Sequence, residues 1–532
     1  MAWNHATALK RINKLCNEVP DFDIQRFDDY LPEYGVWKAL AEARNQPTTP
    51  PLFNLPKGKA VVVNTVQIYI KIANYDEYRL EEGLETEASH ERAMRLLHLY
   101  YSAADRVIEE SAAQRVDFHN GRVHAVILEQ GANSVTRETI GYAFAFIEDF
   151  KQVADIANRR LAKSRFSAQF RVGVDVGTCV AINNGSGLEQ EPLFLGSAAN
   201  YAAKLAQGEK AGVYVSDNVR NILDLPKLGI SEKFVGFSDA ELAVNTARQN
   251  SIGKTVFGVQ NRQRFIDDLV KNWEAEIKKT GSIGFTDPSF SFFYEPPPLS
   301  ELDYKDLMPS HSIRMPLVSI FADLSGYTNY IDQAILSGNI SDAVRALYVI
   351  RAEFQNVVED DFGGRKVRFI GDCIHALIAE GSSTQTNSSK TVVSAIKCAG
   401  GLHSSFSLCK SELRGLDTLG LAVGLEFGNT PISRIGIRGE RSIRVASSIA
   451  TSRSEQMQQD CEHNGVKLGM VALSHAPVAL EDLLVDGYCA ELDYGDVTLC
   501  LPSKVETVSA PVYVARQVPK AQPEPRAHFR ST

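Results

Sequence analysis

The sequence predicts an α+β protein in which one sandwich module occurs twice. A gapless internal repeat, a shared order of elements and matching turn residues predict it. Residues 104–127, ADRVIEESAAQRVDFHNGRVHAVI, align on 355–378, QNVVEDDFGGRKVRFIGDCIHALI, with Ala125 on Ala376 and 376 − 125 = 251. Gly173 and Gly177 fall on Gly424 and Gly428 at the same separation, 424 − 173 = 251. Two unrelated stretches with one offset identify a tandem duplication of a module of roughly 200 residues, an ordinary domain size.

Each copy opens on an apolar strand, VVVNTVQIYI at 61–70 and LVSIFADL at 317–324. Helical periodicity follows, in SHERAMRLLHLYYSAADRVIEE and ISDAVRALYVIRAEFQNVVEDD. Two hairpins come next, RVDFHN–GRVHAVIL and KVRFIG–DCIHALIA, with Asn-Gly and Gly-Asp at their turns as two-residue hairpins favour. Another helix, a strand ending in Gly (RVGVDVG; LAVGLEFG) and a final helix complete each copy. That order implies helices over a largely antiparallel sheet. The expected divisions are an N-terminal helical extension at 1–54, a first module at 55–260, a helix and Pro-rich linker at 261–312, a second module at 313–516 and a disordered tail at 517–532.

Composition narrows the function. The 532 residues are 44% hydrophobic and 23% charged, as folded soluble proteins are. A net charge of −9 and the lack of a basic or aromatic stripe exclude general nucleic-acid binding. No apolar run reaches the roughly 20 residues that span a bilayer, so no membrane insertion is expected. The eight cysteines are scattered, without a Cys-x-x-Cys pair, as in a reduced cytoplasmic chain.

Two carboxylates carry the chemistry. Asp323 ends a buried strand and Asp372 follows Gly371 at a hairpin turn; the two elements are plausible sheet neighbours, so both acids can converge on one point. Each alone has an ordinary reading, as a cap or a turn former. Together they suit Mg²⁺ or Mn²⁺, hard cations that take oxygen ligands and leave sites for phosphate oxygens.

Phe-Ala-Asp-Leu-Ser-Gly-Tyr-Thr at 321–328 resembles the Phe-x-Asp-Ile-x-Gly-Phe-Thr signature of class III nucleotidyl cyclases, and Arg-Phe-Ile-Gly-Asp at 368–372 resembles that family's Lys-x-x-Gly-Asp hairpin. The resemblance implies tandem ferredoxin-like α/β sandwich modules forming an intramolecular pseudo-heterodimer. It also implies two divalent cations held by Asp323, Asp372 and the carbonyl of Leu324. The first module has Thr65 and Asn120-Gly121 where the acids should stand. It keeps LGSAANYAAKL at 195–205, which resembles the family's Gly-x-x-Val-Asn-x-Ala-x-Arg helix. By that resemblance Asn200 orients the ribose, and Lys204 takes the place of an arginine that balances charge on the α-phosphate. The second module offers Ser448 or Thr451 there, depending on the gap, and no Asn. Arg438 resembles a phosphate-binding arginine of the two-module animal enzymes, and Lys254 is a candidate for the γ-phosphate.

In adenylate cyclases of the family a Lys and an Asp read adenine; here those positions hold Asp117 and Leu193. A carboxylate only accepts hydrogen bonds, so Asp117 suits uracil N3–H, the cytosine amine or guanine N1–H and N2. The wider pattern, RKVRFIGDCIHALIAEG followed by RIGIRGERSIRVASS, resembles the pyrimidine cyclases of bacterial Pycsar antiphage systems. That resemblance implies UTP or CTP as the favoured substrate, cyclic UMP or cyclic CMP as product, and a separate effector protein activated by it. Arg368 is a secondary candidate for uracil O4 under an inverted binding mode. The alternatives are a guanylate or adenylate cyclase, or an inactive nucleotide-binding sensor.

Overall fold

The computed structural model describes residues 2–160, 167–183, 192–246, 259–280, 290–436, 442–501 and 513–514. The chain forms two compact units. Of the described residues, an N-terminal unit holds those from 23 to 280 with 435–436 and 442–443, and a C-terminal unit holds 2–22, 290–434 and those from 444 to 514; the tail expected at 517–532 lies outside the described residues.

Both units are built on the same sheet plan. In the N-terminal unit the order is Gln114–His119, Arg122–Leu128, Lys59–Ile72, Phe170–Asn183, Pro192–Leu195, all antiparallel neighbours. Asp23–Arg26 adds in parallel to Lys59–Ile72, and Gly212–Val215 adds in parallel to Phe170–Asn183. In the C-terminal unit the order is Arg365–Ile370, Cys373–Ile378, Ser312–Ser325, Gly420–Ile435, Gly465–Leu468, with Phe292–Phe293 parallel to Ser312–Ser325. The hairpin turns are tight. Asn120 and Gly121 take φ of 42° and 74°, and Gly371 takes 62°, the left-handed values that two-residue hairpins require. Both hairpins also bulge at the same place, between Arg115 and Asp117 and between Lys366 and Arg368.

The strand pattern explains the layering. Val61 and Val63 of the first strand pack with Phe27 and Tyr30 of helix Phe27–Ala43, and with Leu52 and Leu55. In the other unit Leu299, Leu302, Tyr304 and Leu307, from the Pro-rich stretch expected as linker, bury against Leu317, Val367 and Leu377.

Residues 1–54 are divided between the units. Helix His5–Glu18, capped by the Asn4 side chain, belongs to the C-terminal unit. There Arg11 makes two-pronged hydrogen bonds to both Glu353 and Asp361, at 2.7–3.1 Å. Glu353 also accepts from Ser405, which accepts from the Trp3 indole, each at 2.8 Å. From Asp23 onward the chain is part of the other unit. Among the described residues no helix is long and apolar enough to cross a membrane.

Candidate active site

Asp323 stands near the end of strand Ser312–Ser325, opposite Ala422. Ala322 pairs with Ile374, which brings Asp323 level with Cys373 at the start of the next strand. Ile370 pairs with Cys373, leaving Gly371 and Asp372 as the two turn residues. The register therefore sets both acids at one end of adjacent strands. The Leu324 backbone N–H faces the Asp372 carboxylate and favours its charged form.

Behind the acids, helix Ile449–Gln459 lies directly on strand Gly420–Ile435. A Cβ on Gly424 would sit 2.0 Å from the Ser454 carbonyl and 2.3 Å from the Gln458 amide, so only glycine permits this approach. Ser454 donates to Ser319 at 2.8 Å, and Gln458 reaches Asp323 at 3.5 Å.

The electrostatics favour a cation here. Asp323 is pushed up to about 6, by burial first and then by Glu455. Asp372 is raised well above the usual carboxylate range, by burial and then by Asp323; its own and Leu324's amides and Arg351 act the other way. Two acids that repel each other in a half-buried place favour a divalent ion with oxygen ligands. Among the described residues no group of three His, Cys, Asp or Glu is arranged to hold a metal. The fit is thus to cations that fill their remaining positions with backbone carbonyl and phosphate oxygens. Cys373, beside the acids, has its thiol held well above its ordinary range by burial and by their charge.

In the N-terminal unit, helix Ser197–Leu205 packs on its strand in the same way, with a Cβ on Gly173 falling 2.1 Å from the Ala202 carbonyl and 2.6 Å from the Ala206 amide. Ala202 thus matches Ser454 and Ala206 matches Gln458, an offset of 454 − 202 = 252. Asn200 and Lys204 are exposed, four residues apart on one helix face. Their counterparts are Ser452 and Gln456. This corrects the expectation of Ser448 or Thr451: Ser448 is the helix N-cap, matching Gly196, and Thr451 is its capping-box partner.

The register also corrects the placement of Thr65. Asp323 pairs with Ala422, and the residue paired with the equivalent Arg171 is Lys71. The true offset is 323 − 71 = 252, so an ammonium stands where the first acid would be, and Gly121 stands at the position of Asp372. Thr65 is instead buried in a polar chain: its hydroxyl donates to the Gly177 carbonyl at 3.0 Å and accepts from Gln67 at 2.9 Å. Gln67 meets His124 Nε2 at 2.7 Å, and His124 stacks on Tyr69 with centroids 4.0 Å apart. Phe321 and His375 repeat that stack at 4.3 Å.

Asp117 is half-buried on the bulged strand, its Oδ2 2.7 Å from His119 Nδ1. Leu193 is buried and pairs with Ile182. Arg368 is buried and donates to the Arg444 carbonyl. Lys254 and Arg438 lie outside the described residues. Sequence reading missed Lys71, Arg351 and Glu455 because none lies in a quotable motif.

A sheet of this order, with one acid on its first strand and a second on the adjoining hairpin turn, is the class III nucleotidyl cyclase arrangement. The crystal structure of a class III adenylyl cyclase-like ATP-binding protein from Pseudomonas aeruginosa matches with a TM-score of 0.79 at 29% identity, over 94% of this chain and all of that one. A uridylate cyclase of a Rhizobium species is 40% identical over 504 residues, 93% of this chain and 95% of that protein. A uridylate cyclase of Pseudomonas aeruginosa is 32% identical over 512 residues, 94% and 91% of the two chains. No family model matches. The chain belongs to the uridylate cyclase family, nucleotidyl cyclases of the phosphorus–oxygen lyase class.

Proposed function

We propose that this chain converts UTP to 3′,5′-cyclic UMP and pyrophosphate, using one site to which each unit contributes half. The observation that carries the reading is the distribution of acids. Asp323 and Asp372 meet at one end of the C-terminal sheet, while Lys71 and Gly121 hold the equivalent positions in the N-terminal sheet. Kinship with the uridylate cyclases supports uracil as the base.

Asp323, Asp372 and the Leu324 carbonyl would hold two Mn²⁺ or Mg²⁺ ions. Such ions, when bound, lower the pKa of the ribose 3′-hydroxyl and offset phosphate charge. Asn200 orients the ribose. Lys204, and Arg438 of the metal-bearing repeat, balance charge on the phosphates as the 3′-oxygen bonds to the α-phosphorus and pyrophosphate leaves. Lys204 acts as a point charge, without the paired donors of an arginine. Lys254 takes the γ-phosphate. Asp117 accepts from uracil N3–H, with His119 fixing its carboxylate.

The two units pair as a pseudo-heterodimer within one chain, which makes assembly of the site independent of protein concentration. The product is a cytoplasmic second messenger read by a separate effector in antiphage defence. Incubation of the purified chain with ATP, GTP, CTP and UTP in parallel, each with Mn²⁺, tests the reading. Cyclic UMP should dominate; a cyclic purine as main product refutes the base assignment, and metal-dependent nucleotide binding without pyrophosphate release makes the chain a sensor.

A further inference from the structure

Arg351 lies in helix Ile340–Asn356 with 2% of its surface exposed. Burying a guanidinium is strongly unfavourable unless a carboxylate and hydrogen bonds answer it. Its Cζ sits 4.0 Å from the ring centroid of Phe369, three residues before Asp372 on the same hairpin. Asp372 and Tyr327, itself buried, both feel its charge. Glu353, two residues further along the same helix, is turned to Arg11 and Ser405.

The other unit supplies a control. Phe118 matches Phe369, since 369 − 118 = 251, and the ring packed on Phe118, at 5.3 Å, is Tyr101. The Tyr101 hydroxyl accepts from the backbone N–H of Gly121, the residue at the position of Asp372, at 3.0 Å. Tyr101 is therefore the counterpart of Arg351, at 351 − 101 = 250. The one-residue difference from 251 lies at the π-helical turn Val357–Asp361, which adds a residue between helix and hairpin in the C-terminal unit, so the gapless pairing expected for 104–127 on 355–378 holds from the hairpin onward and not across this turn. Both side chains pack on the hairpin phenylalanine, and Tyr101 also meets the turn. Where the turn carries a carboxylate the packed group is a cation; where it carries glycine the packed group is a neutral hydroxyl.

We propose that Arg351 is a positioning residue of the metal site, holding the hairpin through the Phe369 ring so that Asp372, at its turn, and Asp323 address one point before any divalent cation arrives. Arg351 acts through the hairpin that carries Asp372, and neither nucleotide nor metal is its partner. The inference rests on the metal-site reading above and names a residue that reading does not use.

The test is Mn²⁺ binding by the full chain without nucleotide, followed by electron paramagnetic resonance, together with thermal melting. Arg351→Met should bind Mn²⁺ at least tenfold more weakly than the parent, and Arg351→Lys, which keeps the charge without the planar fork, should recover part of the loss. In melting, Arg351→Met should cost the parent more than it costs an Asp372→Asn chain, because only the parent has a buried carboxylate at the turn whose charge the guanidinium offsets. That comparison, and the Lys variant, hold even where Arg351→Met is much less stable. Mn²⁺ binding by Arg351→Met equal to the parent's, or equal melting losses in both backgrounds, overturns the inference. Failure of the parent itself to bind Mn²⁺ removes the metal site, and this proposal with it.

Discussion

The backbone N–H of Leu324 faces the carboxylate of Asp372 and favours its charged form, so the first strand of the C-terminal sheet bears on the turn of its neighbouring hairpin. The strand register sets the second acid beside the first. Asp323→Ala and Asp372→Ala should each lower cyclic UMP formation by at least about a thousandfold, the scale of removing a group that acts only on the transition state. Melting temperatures should stay level or rise, since each change removes one of two acids that repel. Residual turnover near the parent level would remove both residues from the reaction.

If each half of the site comes from a different unit of the same chain, two inactive variants should not rescue each other. Asp323→Ala and Asn200→Ala chains, mixed in equal amounts, should form no more cyclic UMP than either alone. Recovery that grows with protein concentration would show that the site assembles between chains.

How much of this was legible in the residues depends on the element. The hairpin repeat was, because Asn120-Gly121 and Gly371-Asp372 enforce the same two-residue turn and hence one register. The first strand was not. Matching Thr65 to Asp323 slips it by six residues, and an even slip keeps every side chain on its own face of the sheet, so alternation alone cannot expose it. Only strand pairing, through Ala422 and Arg171, shows that Lys71 is the counterpart. The Ser448 expectation failed similarly: a capping serine and a site-facing serine look alike until Gly424 fixes the depth of the helix. Arg351 was hidden by the π-helical turn, which breaks the 251-residue spacing just where it would have matched Tyr101.

Arg11 is the main tie between the first helix and the C-terminal unit. Its partner Glu353 is fully buried, so Arg11→Ala strands a carboxylate with Ser405 as its remaining side-chain donor. The loss should be on the order of 3 kcal/mol in a urea titration of the C-terminal unit's transition. An unchanged midpoint would mean the helix is not part of the folded unit.

His403, buried in helix Ser388–Glu412, is pushed down to about 4 by desolvation. Unfolded, it takes a proton near pH 6.5. Below that pH the unfolded chain binds the extra proton, so the stability His403 contributes is present above 6.5 and lost as pH falls toward 4. The stability deficit of His403→Gln relative to the parent should therefore shrink by up to about 1.4 kcal/mol per pH unit below 6.5. Parallel pH curves for the two chains would contradict this.

Asp117→Ala should reduce selection for UTP over CTP and ATP by roughly ten- to a hundredfold, the usual worth of one lost hydrogen bond to a substrate group. Turnover of the nucleotide that does bind should fall less. Unchanged selectivity would transfer base reading to another residue.

The most direct test of the whole account is to give the purified chain UTP and Mn²⁺ and to identify both products by mass spectrometry and phosphorus NMR. Cyclic UMP and pyrophosphate in equal amounts, absent with Asp372→Ala, are the predicted result. UTP left intact, or UMP and UDP in place of the cyclic product, would contradict it.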